Sequence, residues 1–95
     1  MIKVIATFIV KSDTSDRFIE LATEMISLTR KEQGCAQYDL VQSIEKPERL
    51  TILEGWESQE DLDAHSASEH FARLVPQLCD LCIEPPSIDA NLLIV

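Results

Sequence analysis

Two histidines, His65 and His70, are the only side chains in this 95-residue chain whose ordinary pKa lies near neutrality. Either can take a proton from a weakly acidic group, and His65 is the better placed. It ends a short predicted helix that follows directly on a strand carrying the only tryptophan, Trp56. An imidazole there can face the same cavity as the indole. His70, five residues on, falls in the first turn of the next helix. Trp56 can wall a pocket against an aromatic ring, and it would equally serve as a core anchor. Tyr38, on the neighbouring strand, can donate a hydrogen bond to a substrate oxygen. Thr7, on the first strand, is a further candidate for the pocket. Glu54 shares a strand face with Trp56. If that face is a subunit boundary, Glu54 pairs with Arg30 or Arg49 instead of acting as a base.

Metal and thiol chemistry find less support. His65-x4-His70-x8-Cys79-x2-Cys82 holds a Cys₂His₂ inventory, but in reversed order and on helix faces that a core explains. Cys79 and Cys82 fall at the end of a predicted helix, where the helix dipole disfavours a thiolate, so both read as small buried residues. Only two glycines, Gly34 and Gly55, are present, and they build no phosphate-cradling loop. No bound metal, flavin or haem is expected as purified.

The elements that must position these residues follow from periodicity. Residues 2–11 read as a strand with Ile2, Val4, Ala6, Phe8 and Val10 on one face. Ile5 and Ile9 make its other face partly apolar as well. A helix over about 15–32, capped by Asp13 or Ser15, buries Phe18, Leu21, Ala22, Met25 and Ile26, and Gly34 terminates it. Residues 35–44 and 49–57 form a hairpin about Lys46-Pro47-Glu48. Ser58 starts the short helix that runs to about His65. Ser66-x-x-Glu69 reads as a capping box for a helix over about 67–82, with Pro76 predicted to kink or shorten it. Residues 87–95 give a last strand after Pro85-Pro86.

The order βαββαβ is the ferredoxin-like, α+β arrangement: a four-stranded antiparallel sheet with helices on one face. The whole chain, 1–95, is one domain. The bare sheet face and the apolar end Leu92–Val95 predict a homodimer with a large apolar interface.

Composition sets the outer limits. Apolar residues make up 45% of the chain, too many for disorder. The net charge of −9, from 8 basic and 17 acidic residues, disfavours nucleic acid and anionic membranes as partners. No apolar run can span a bilayer and no signal peptide is evident, so a cytoplasmic location is expected.

Three stretches resemble the antibiotic biosynthesis monooxygenase family, especially its quinol-monooxygenase-like members. Thr29-Arg-Lys-Glu-Gln-Gly-Cys-Ala-Gln-Tyr38 is similar to the family's E-x-G-C with a following tyrosine. Leu53-Glu-Gly-Trp-Glu-Ser58 is similar to its E-x-W-x-S, and Leu62-Asp-Ala-His65 with His70-Phe71 to its L-x-x-H…H-F. The resemblance implies a dimeric α/β barrel made from two face-to-face sheets, with a pocket between sheet and helices in each subunit. It implies a monooxygenase that works without a cofactor on a small aromatic hydroxyl compound such as a quinol, with molecular oxygen as co-substrate. His65 and Tyr38 would then be catalytic, and Trp56, Thr7 and His70 would line the pocket. The haem-degrading branch of the family needs an asparagine, a tryptophan and a histidine where this chain aligns Thr7, His65 and Val75, so haem cleavage is disfavoured. The alternative is a non-catalytic dimeric domain that binds a small molecule on the same fold.

Overall fold

A computed structural model describes all residues, 1–95. The elements are β1 (Ile2–Ile9), α1 (Ser15–Thr29), β2 (Cys35–Gln42), β3 (Arg49–Trp56), α2 (Gln59–Ser66), α3 (Glu69–Asp80) and β4 (Ser87–Leu92). The strands form one antiparallel sheet in the order β2-β3-β1-β4. This is the ferredoxin-like fold expected from the element order. β1 is central, with β3 and β4 along its two edges.

The pairing of Ala6 with Ile52 and of Phe8 with Leu50 aligns the apolar positions of β1 and β3 on the helix side. Against them pack Phe18, Leu21, Ala22 and Met25 of α1 and Leu74 and Leu78 of α3, all buried. The Phe8 and Phe18 rings tilt together at 5.1 Å, an aromatic pair that ties β1 to α1. No helix is long and apolar enough to cross a membrane.

Several local expectations need correction. The first residue before α1 is Thr14, and its hydroxyl bonds to the Lys11 carbonyl at 2.7 Å instead of capping a helix amide. Asp13 takes a left-handed turn at φ 64° and caps nothing. The helix stops at Thr29, and Gly34, at φ 79°, turns the chain into β2. The cap of α3 is Ser68, which accepts from the Phe71 amide, while Ser66 is still the last residue of α2. Ser66 bonds back to the Leu62 carbonyl at 3.2 Å. Pro76 does not break α3. It lies on the exposed side, so the carbonyl of exposed Ala72, which it leaves without an amide partner, faces water.

The helix-free face is more mixed than its pattern suggested. Ile5 and Val41 are exposed there, beside a half-buried polar ladder in which Lys3 donates to Gln37 at 2.9 Å and Gln37 to Asp39 at 3.1 Å. The more continuous exposed apolar surface is Leu92, Leu93, Ile94 and Val95 at the C-terminal end. Beyond β4 the chain is held by the Leu93 amide, which donates to the Met1 carbonyl at 2.9 Å.

Candidate functional site

Four elements converge where β3 ends. Trp56 is the last residue of β3, Tyr38 lies across from Glu54 on β2, His65 is near the end of α2, and Phe71 is in the first turn of α3. The His65 ring is sandwiched among three aromatic rings: Trp56 at 4.7 Å, Tyr38 at 5.3 Å and Phe71 at 5.3 Å, the last two edge-on. His65 is only 1% exposed and Trp56 is fully buried.

Burial of an imidazole demands partners. One is supplied by Glu32, in the turn after α1, whose Oε1 lies 3.0 Å from His65 Nδ1. A carboxylate can only accept, so Nδ1 carries the proton and Nε2 holds the free lone pair. That Nε2 is buried and has no hydrogen-bond partner. Burial pushes the His65 pKa below its ordinary value, with the Glu32 hydrogen bond and charge pulling the other way. The ring is therefore a neutral base at physiological pH. His70 reaches the same Glu32 oxygen through Nε2 at 2.5 Å.

Gly34 makes this convergence possible. A Cβ at residue 34 would lie 2.1 Å from the Asp61 carboxylate, so only glycine lets the turn that carries Glu32 press against the start of α2. The α2 start is itself fixed, because Ser58 Oγ accepts from the Asp61 amide at 3.1 Å and donates to the Asp61 carboxylate at 2.9 Å.

Beside the histidine lies an apolar cavity of about 40 Å³, between α3 and the sheet. Ala6, Phe8, Ile52, Phe71 and Val75 line it, and Pro86 and Ile88 form its rim. Tyr38 and Glu54 contribute its polar lining. His65 itself stands one layer behind, with Tyr38 and Phe71 between it and the space. As it stands the cavity has room for a water or two, so an aromatic guest requires the walls to move apart.

Glu54 is not a subunit-boundary ion pair. Its face of β3 turns toward the helices, it is 7% exposed, and it accepts from the Trp56 indole Nε1–H at 2.9 Å. The expected partners are elsewhere: Arg30 bonds to Asp39 at 2.8 Å. Burial pushes the Glu54 carboxyl up from its usual range, with the Trp56 donor opposing and the Glu32 charge adding. Tyr38, 3% exposed, is pushed well above the ordinary phenol value, first by burial and then by Glu54 and Glu32. It remains a neutral donor.

The raised Glu54 pKa has a consequence for stability. A carboxyl whose folded pKa exceeds its unfolded one favours folding at low pH and loses that contribution as pH rises through the folded value. Glu54→Gln keeps an acceptor for Trp56 and removes the buried charge. Its melting temperature should exceed the wild type's at pH 7.5 by a few degrees, on a scale where about 1 kcal/mol moves Tm by roughly 4–8 °C. The gap should close toward pH 4.5. Melts with the same gap at both pH values would show that the charge is not the cause.

Of the residues singled out by sequence, His65, Tyr38 and Trp56 come together, and His70 joins them through Glu32. Thr7 does not. Strand alternation puts it opposite Ala6 and Phe8, on the helix-free face, where its hydroxyl lies 3.4 Å from that of Thr51. The histidines also do not gather the cysteines; their third partner is Glu32.

Comparison with known proteins agrees with this architecture. The family model for antibiotic biosynthesis monooxygenase matches residues 1–77. Rv0793 of Mycobacterium tuberculosis, whose name assigns it a monooxygenase activity only provisionally, is 33% identical over 92% of this chain and 85% of its own. A conserved protein of Methanosarcina mazei superposes with a TM-score of 0.93 at 36% identity, covering 95% of this chain and 89% of that one. A structure described as an antibiotic biosynthesis monooxygenase gives the same TM-score at 32% identity over the whole of both chains. With sequence, fold and the quoted motifs in agreement, the chain belongs to the antibiotic biosynthesis monooxygenase family.

Proposed function

We propose that this protein is a cofactor-independent monooxygenase that oxidises a small aromatic hydroxyl compound, such as a quinol, with molecular oxygen. The observation that carries the reading is the lone pair on His65 Nε2, buried and unpartnered one layer behind an apolar cavity, with Nδ1 fixed by Glu32. A neutral imidazole held in one tautomer is suited to take the phenolic proton. The resulting phenolate is electron-rich enough to reduce O₂ directly. One oxygen atom replaces a ring hydrogen and ends as a quinone carbonyl. The other leaves as water with that hydrogen and the phenolic one. Tyr38, kept protonated, donates to the developing oxyanion. Phe71, in the cavity wall, packs against the substrate ring and helps exclude water, while Trp56 backs His65 from outside the cavity. Oxygen uptake with a panel of quinols and naphthols tests this, and ¹⁸O₂ should label the product. Saturable binding without uptake for every member would replace the enzyme with the non-catalytic binding domain.

The active form is a homodimer in this reading. Leu92–Val95, fully outside the core, and exposed Ile5 support a partner on the sheet side. Light scattering at micromolar concentration should give twice the chain mass of 10.7 kDa. A monomer there would rule the dimer out.

A further inference from the structure

We propose that Glu32, His65 and His70 form a binding site for one divalent first-row transition cation of borderline softness, with Zn²⁺ as its probe. The three side chains come from three separate segments: the turn after α1, the end of α2 and the start of α3. One ligand atom from each lies within 4.8 Å of the other two. Two imidazoles and one carboxylate suit zinc and its neighbours in the series, and three protein ligands leave a position open.

The spacing is close to what a cation needs. With metal–ligand bonds of about 2.0–2.2 Å, tetrahedral ligand atoms stand about 3.3 Å apart. The 3.0 Å between Glu32 and His65 is nearly that edge already. The His70–Glu32 pair must open by somewhat under about an ångström, and the two histidine nitrogens start no more than 4.8 Å apart. His70 and Glu32 are partly exposed and can make these moves, whereas His65 is held by its three rings.

An approach route is also present. Glu32 is shared with a shallow surface depression whose other acidic members are Glu60 and Asp61. Carboxylates of one sign around an open mouth raise the local cation concentration. The net charge of −9 acts in the same direction.

Occupancy changes what His65 can do. Without a cation, Nδ1–H faces Glu32 and the Nε2 lone pair is free. A cation on Nδ1 takes the lone pair of that nitrogen and sends its proton to Nε2, turning the base into a donor. This consequence bears on the function proposed above, but binding itself does not depend on that function.

The test is isothermal titration of the purified chain with Zn²⁺ at pH 7.5, with two-bond ¹H–¹⁵N spectra of both histidines before and after. One cation per chain is expected, and His65 should switch from the Nδ1–H to the Nε2–H tautomer. Glu32→Gln and His70→Ala should each weaken binding by on the order of 10–100-fold or more. Circular dichroism should confirm that both variants are folded, and Zn²⁺ should raise Tm of the wild type more than theirs. Affinity should weaken as pH is lowered, because protons compete with the cation for the ligand atoms. Failure to bind, equal binding by both folded variants, or a thiolate-to-Co²⁺ absorption band on Co²⁺ substitution would each overturn the site. The last result would place the cation on Cys35, Cys79 or Cys82.

Discussion

Replacing His65 by alanine should cut turnover of any accepted aromatic hydroxyl by about 10²–10⁴-fold, the usual cost of losing a general base. The loss should fall on kcat more than on KM, because Trp56, Tyr38 and Phe71 still shape the site. Alanine also leaves a void in a fully packed place and deprives Glu32 of a donor. His65→Asn is the control. Its amide N–H can replace the Nδ1–H donor toward Glu32, but it has no basic nitrogen. Asparagine should therefore be as inactive as alanine and more stable. The rate should depend on neutral imidazole, so it should fall on the acid side. Because burial lowers the His65 pKa more than Glu32 restores it, that fall should come below the ordinary histidine range. The same shift makes folding weaker in acid. A histidine with a depressed folded pKa contributes stability that is present above its unfolded value and is lost as pH falls through it toward the folded one. Full turnover by the asparagine variant would move the base to Glu54, the carboxylate that does line the cavity.

The sequence disclosed the site unevenly, for reasons that can be traced to individual residues. Local patterns were enough to find the strands, the helices and the place where Trp56, His65 and Tyr38 meet. Those three lie on adjoining elements whose faces alternation and helical period determine. Glu54 carries the same information, yet the sequence leaves open which side its face is on. Sharing a face with Trp56 should have put it indoors, but a carboxylate is an unusual interior residue unless something donates to it. The donor is the indole two residues on, a contact across one strand repeat that hydropathy does not register. Glu32 was harder still. It sits in a turn without periodicity, and its role arises only when Gly34 lets α2 close onto that turn. Thr7 shows the opposite failure. Its type suited a pocket, but its parity with Ala6 and Phe8 already excluded the helix side. Capping was ambiguous at the residue level: Ser66 and Ser68 both precede α3, and Ser66-x-x-Glu69 fits the box by spelling alone. Ser68 wins because α2 has not ended at Ser66, and its hydroxyl also closes the junction by donating to the His65 carbonyl at 2.7 Å.

Trp56 should be the most sensitive position for stability, and its contribution divides into two measurable parts. Its side chain is completely buried at the end of β3, against His65 and Tyr38. Trp56→Ala should cost about 3–5 kcal/mol, the range for deleting a buried aromatic. That approaches the whole stability of a small domain, about 5–15 kcal/mol, so this variant is expected to be largely unfolded at 37 °C. Trp56→Phe isolates the second part. Phenylalanine keeps most of the ring packing but has no N–H, and it leaves the buried Glu54 carboxylate without its donor. Stranding a buried acceptor costs about 1–3 kcal/mol, more when it is charged. The indole donor is what holds the Glu54 pKa down against burial, so in the variant that pKa rises further. The loss should then be largest at pH 7.5 and shrink toward pH 5 as the stranded carboxyl protonates. Adding Glu54→Gln to Trp56→Phe should recover part of the loss at pH 7.5, giving a non-additive pair in a double-mutant cycle. Urea denaturation followed by circular dichroism measures all four proteins, since the phenylalanine variants lack the only tryptophan signal. A destabilisation that is the same at both pH values and strictly additive would assign the whole effect of Trp56 to ring packing and none to its hold on Glu54.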